Sequence, residues 1–194
     1  MPGMKGSTPP EAERFLARSW SASWAAATSA ACFFLLAPFS AHAQVVISEI
    51  LYDPAGADQG NEWVELYNAG AAPVDLTKWT FSDGATSKTT GNLVHHAFSA
   101  SPASGAIGGM MLAPQSYAVL ADNAAAVAAA FPGLAQLIDT TMTLPNPSGG
   151  ASATLVLFDD AGGAENTVAY EGGAADGNGA SLQLQSDGSW LAAP

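Results

Sequence analysis

Two short runs constrain this chain more than any other feature. Val45-Val46-Ile47-Ser48-Glu49-Ile50-Leu51-Tyr52 and Glu62-Trp63-Val64-Glu65-Leu66-Tyr67-Asn68 are mostly β-branched or aromatic, with charges at alternate places. Between them lies Asp53-Pro54-Ala55-Gly56-Ala57-Asp58-Gln59-Gly60-Asn61. Pro, Gly, Asp and Asn there supply the backbone angles and local hydrogen bonds of turns. The pattern predicts strand, acidic loop, strand.

The rest of the chain repeats that rhythm. Val74 to Phe81 alternates as one strand, with Trp79 and Phe81 on one face and Val74 and Leu76 on the other. Ala85 to Gly109 reads as loop, apart from a short strand over Val94 to Phe98. Tyr117 to Ala121 is a short apolar strand. Asp122-Asn123 before an alanine run, and Pro132-Gly133 after it, mark a single short helix over Ala124 to Phe131. Further strands are expected over Leu137 to Leu144, Ala153 to Phe158, Asn166 to Tyr170 and Ser181 to Gln185. Asp159-Asp160-Ala161-Gly162-Gly163 closes a hairpin. Strands with turns every eight to twelve residues predict an all-β fold, an antiparallel β-sandwich. No βαβ alternation, heptad or tandem repeat is apparent.

The first residues read differently. Lys5, Arg14 and Arg18 precede the apolar run Trp24 to Ala37, and Ala41-His42-Ala43 follows it. A basic start, a short apolar middle and an A-x-A site read as a secretory signal peptide over 1–43. The mature domain is then 44–194, secreted to the periplasm or beyond, with no membrane span of its own. The leader would remove three bases and two acids from a chain of net charge −12. That leaves Lys78 and Lys88 against fifteen carboxylates, a net charge of −13. Such a surface repels phosphate backbones, so no nucleic-acid partner is expected. Cys32, the one cysteine, falls within the leader, so the mature part has no thiol chemistry or disulfide.

Residues from Val46 to Pro54, the block Glu62 to Asn68, and Val74-Asp75-Leu76 with Trp79-Thr80-Phe81 together resemble the bacterial lamin-tail domain. Leu112-Ala113-Pro114 before Tyr117 to Ala121 resembles that family's strand after its L-x-P-G turn. Leu155 to Asp159 with Ala161-Gly162 resembles its late hairpin, and Ser181-Leu182 with Asp187-Gly188-Ser189-Trp190 its closing strand. The resemblance implies an immunoglobulin-like sandwich without catalytic residues of its own, found on secreted and surface proteins and often beside hydrolases. Lys78 departs from the family's usual Gly before the Trp, and Leu184 from a common basic residue.

The chemistry-bearing residues are few. Asp53, Asp58, Asn61 and Glu62 are hard oxygen donors in a Gly-containing loop, a candidate calcium site. Their spacing does not follow the EF-hand pattern, and the same residues serve turns. His95-His96 are neighbours, so on a strand their rings point to opposite faces and cannot share one metal. Glu49, Glu62 and Glu65 are acids of the kind that act in pairs in glycoside hydrolysis, but alternation separates them from the core-facing residues. No G-x-S-x-G elbow accompanies the serines. Trp63 and Trp79 are expected in the core, and Trp190 packs at the domain's close. The expectation is an exported, non-catalytic binding or adhesion module with an unknown protein or polysaccharide partner at the cell envelope and no cofactor unless calcium. The alternatives are an accessory domain to a separate secreted hydrolase, or an uncharacterised hydrolase.

Overall fold

The computed structural model describes residues 44–194, apart from residue 149. The expected leader over 1–43 lies outside them. β1 (Val45–Leu51) and β2 (Trp63–Asn68) form the anticipated antiparallel pair, and they sit near the middle of one layer. On β2, Val64 and Leu66 face inward and are fully buried, while Glu65 and Tyr67 on the other face are half-buried. Strict alternation fails at one point on β1. The register shifts between Ile47 and Glu49, a bulge at Ser48. That extra residue lets both Ile47 and Ile50 reach the core.

The remaining strands extend this pair into two layers. β3 (Val74–Asp75), β4 (Thr80–Ser82), β5 (His96–Ser99), β6 (Met111–Leu112), β7 (Tyr117–Ala121) and β8 (Leu137–Thr140) come first. β9 (Ser152–Phe158), β10 (Ala164–Glu171), β11 (Ser181–Leu184) and β12 (Trp190–Ala193) follow. One layer runs β12-β11-β1-β2-β7-β8 and the other β10-β9-β4-β5, with β3 and β6 a separate small ribbon. β5 belongs to both layers. Its first residues pair with β4 and its last, Phe98 and Ser99, with Thr140 and Asp139 of β8. At the opposite seam, Glu165 of β10 accepts the backbone N–H groups of Gln44 and Val45, and Asn166 Oδ1 accepts that of Ile47 at 3.0 Å. Those donors lie on the part of β1 that β11 does not reach, so side chains complete the ladder there. Ile47, Ile50, Leu66, Phe81, Leu120 and Leu155 are among the fully buried residues between the layers. The result is an immunoglobulin-like β-sandwich.

Three expectations need correction. The single strand over Val74 to Phe81 is two, β3 and β4, in different sheets. A turn closed by the Trp79 N–H on Leu76 O at 3.0 Å separates them. The apolar phase shifts at this turn, between Leu76 and Trp79, and Trp79 is buried from the turn and not from a strand. The expected strand over Leu137 to Leu144 stops at Thr140. The sandwich is also not wholly antiparallel. β7 and β8 run parallel, and the helix α1 (Ala124–Ala130) lies in the connection between them. Parallel neighbours need a crossover, and a helix is the usual one. The helix itself begins as read, with Asn123 Oδ1 accepting the Ala126 N–H at 3.1 Å.

Candidate functional site

Around the acidic loop, buried Glu62 and Asp83 meet one irregular segment of the chain. β8 ends at Thr140, and the chain then runs irregularly through Thr141 to Pro147. No strand takes its backbone donors. Acidic side chains from three separate segments do. Asp122 Oδ1 accepts the Met142 N–H at 3.3 Å, Asp83 Oδ2 the Thr143 N–H at 3.0 Å, and Glu62 Oε2 the Leu144 N–H at 3.1 Å. Asp58 Oδ2 accepts from Asn146 Nδ2 at 3.0 Å, and the Tyr170 hydroxyl donates to Pro145 O at 2.6 Å. This staple satisfies a backbone that would otherwise bury unpaired groups, each worth about 1–3 kcal/mol.

The staple has an electrostatic consequence. Burial pushes Glu62 up to about 7, and the charges of Asp58, Asp122 and Asp83 add to it, while the Leu144 N–H opposes them. Its Oε1 is buried with no hydrogen-bond partner. Burial, and then the charge of Glu62, also pushes the Tyr170 phenol upward. Tyr170 stacks at a tilt on Tyr52, with centroids 5.0 Å apart. Tyr52 donates to Asp176 at 2.6 Å, and burial followed by that bond raises its phenol to about 12.

Of the four candidate calcium ligands, Glu62 is committed to Leu144 and faces away from the loop's solvent side. Asn61 spends its side-chain amide on Ala57 O at 2.8 Å, and its N–H closes a turn on Asp58 O at 3.0 Å. Asp53 and Asp58 stay near each other. Partial burial, then the charges of Asp58 and Asp176, raises Asp53. Among the described residues, no three His, Cys, Asp or Glu side chains are gathered as a metal would need. The two histidines part as alternation requires. His95 stacks on Phe158 at 4.1 Å and bonds Thr80 Oγ1 at 3.0 Å. His96 bonds Thr141 Oγ1 at 3.0 Å and holds Nε2 3.3 Å from Asp83 Oδ2, too poorly aligned for a hydrogen bond. The third acidic set also separates. Glu49 lies directly opposite Glu65 across β1 and β2, whereas Glu62 precedes the strand and joins the staple.

The roles of Asp83 and Asp122 are not legible in sequence. Each follows a strand and precedes Gly or Asn, so each reads as an ordinary turn residue. Only their partners in the 141–146 segment reveal what they hold.

The family model for the Lamin Tail Domain matches residues 38–172 of this chain. The chain belongs to the lamin tail domain family. No curated protein and no solved structure matches it. The matched residues of this lamin tail domain run through β10, so β11 and β12, which extend the β1 edge, lie beyond the match. The departures from the family pattern sort by backbone angle. Gln115 stands where the L-x-P-G turn carries Gly, and it adopts φ 53°, the left-handed region that glycine favours. Lys78 also replaces a Gly, but Gln115 is the only non-Gly residue at positive φ among those described, so Lys78 incurs no such strain.

Proposed function

We propose that this lamin tail domain is an exported, non-catalytic binding or adhesion module of the cell envelope. The observation that carries this reading is the staple. The most buried acids, Glu62 and Asp83, are occupied with backbone N–H groups of a neighbouring segment. Membership of an immunoglobulin-like, non-catalytic domain family supports the reading by family likeness. The net charge of −13 expected after loss of the leader favours partners with positive charge and disfavours nucleic acid.

The test uses the purified chain as bait on a solubilised envelope fraction. Saturable capture of a defined protein or polysaccharide is the expected result. A captured hydrolase would assign the accessory role to the same module. Turnover of ester, phosphodiester or glycoside substrates by the pure chain, abolished by Glu62→Gln or Glu49→Gln, would overturn the non-catalytic reading.

A further inference from the structure

Glu49 and Glu65 are register partners on neighbouring strands, so two carboxylates stand side by side on the outer face of the β1–β2 pair. Like charges directly opposite each other repel. The bulge at Ser48 creates the pairing, because it lets Ile47 and Ile50 both turn inward and leaves Glu49 outward. Both heads are held in place. Glu65 accepts from Ser48 Oγ at 2.7 Å, and Glu49 accepts from Ser181 Oγ and from Gln183 Nε2 at 3.3 Å. Among the described residues, no Lys forms an ion pair with either.

These acids border a cavity of about 200 Å³ between that face and α1. Its other walls are Trp63, Val119, Val127, Phe131 and Leu134. Trp63 is only 9% exposed, and its indole Nε1–H is buried without an acceptor. Phe131 meets it edge-on, with centroids 5.9 Å apart at 80°, and is itself 45% exposed at the rim. An aromatic wall, an apolar floor and two fixed carboxylates select one chemistry. A neutral apolar guest would desolvate the acids without compensation, and an anion would be repelled. A hydrated metal ion would gain nothing from the apolar walls. A cation on a hydrocarbon stem meets the carboxylates with its charge and the apolar and aromatic walls with its stem, while the Trp63 indole N–H, itself a donor, gains no acceptor from it.

We propose that this cavity binds a cationic group carried on an apolar stem, as in a small alkylammonium ion or the lysyl side chain of a partner protein. The proposal rests on the binding-module reading and names the chemistry that the module would recognise.

The test follows the Trp63 indole N–H resonance of the full chain by two-dimensional NMR, with the signal assigned from Trp63→Phe. Titrants are n-butylammonium chloride, n-butanol as its neutral match, and the tripeptide acetyl-Gly-Lys-Gly-amide. n-Butylammonium should shift the resonance saturably and bind at least about tenfold more tightly than n-butanol. Glu49→Gln with Glu65→Gln should weaken it by about tenfold or more while the circular dichroism spectrum is kept. Tighter binding of the tripeptide identifies a lysyl side chain as the source, and weaker binding identifies a free amine. Equal binding of n-butanol overturns the proposal in the unaltered chain, whatever the variant does. So does the absence of saturation below about 100 mM, or full binding by a folded double variant. If envelope capture is insensitive to n-butylammonium, and the indole does not move, this proposal fails while the module reading stands. If the indole titrates but nothing is captured, the module reading fails alone.

Discussion

Glu62 Oε2 accepts the Leu144 N–H at 3.1 Å, and Oε1 of the same carboxylate is buried with no partner. One half of the side chain is therefore structurally required and the other half is a liability when charged. Burial raises its pKa from 4.5 to about 7. In that window the folded chain keeps a proton that the unfolded chain has released. The contribution of Glu62 to stability is thus full below about pH 4.5 and is lost as pH rises through about 7, an effect of about 3 kcal/mol. Glu62→Gln should keep the bond to Leu144, remove this slope and melt above the unaltered chain at about pH 8. Thermal melts from acid to mildly basic pH check this. Parallel pH profiles for the two proteins would show that Glu62 does not hold a proton when folded.

Asn68 ends β2 as a buried junction. Its Nδ2 donates to Ala72 O at 2.9 Å and Leu112 O at 3.1 Å, and its Oδ1 accepts the Gly70 N–H at 2.9 Å. Asn68→Asp keeps the shape but points a charge at two carbonyl oxygens. The expected loss is about 2–4 kcal/mol near neutral pH, and it should shrink on acidification as the carboxyl regains a proton to donate. Urea unfolding at two pH values measures it. A loss independent of pH would place the cost in packing instead of in the missing donors.

Gln115 at φ 53° isolates backbone strain. Its side chain bonds the Tyr67 hydroxyl and donates to Ala69 O at 2.9 Å, so any substitution loses those contacts. Comparing Gln115→Ala with Gln115→Gly cancels that loss. The Gly variant should be more stable than the Ala variant by about 1 kcal/mol, since only Gly adopts this angle without a Cβ penalty. Equal stabilities would mean that the turn relaxes once the side chain is gone.

The loop acids invite a metal test. Glu62 turns one oxygen to the Leu144 N–H, and among the described residues no three acids or histidines are gathered around a point as a calcium site with Asp53, Asp58 and Asn61 would need. We therefore expect the same melting temperature in millimolar Ca²⁺ and in EDTA. A rise that grows with Ca²⁺ in excess of its Kd, and that Asp58→Ala abolishes, would establish the site.

Much of this architecture is local and was legible. Alternation marks β1 and β2, and short apolar runs between turn residues mark β7, β9 and β10. The Asn123 cap and the Pro132-Gly133 stop bracket α1, because capping is a contact between residues three apart. Family membership could be read from the block around Trp63. What the sequence did not disclose depends on partners distant along the chain. Val74 to Phe81 changes its apolar face between Leu76 and Trp79, a phase flip that one strand over the whole segment ignores, and β3 is claimed by β6 while β4 is claimed by β5 and β9. Beyond the end of β8 at Thr140, Asp122, Asp83 and Glu62, which lie 20, 60 and 82 residues from their partners, take the backbone donors of Met142, Thr143 and Leu144. Glu49 and Glu65 become a pair only through the bulge at Ser48, whose register depends on both strands at once. Local propensity sets which segments extend or coil, while hydrogen-bond satisfaction and register, which need the folded chain, decide which acids meet and what they hold.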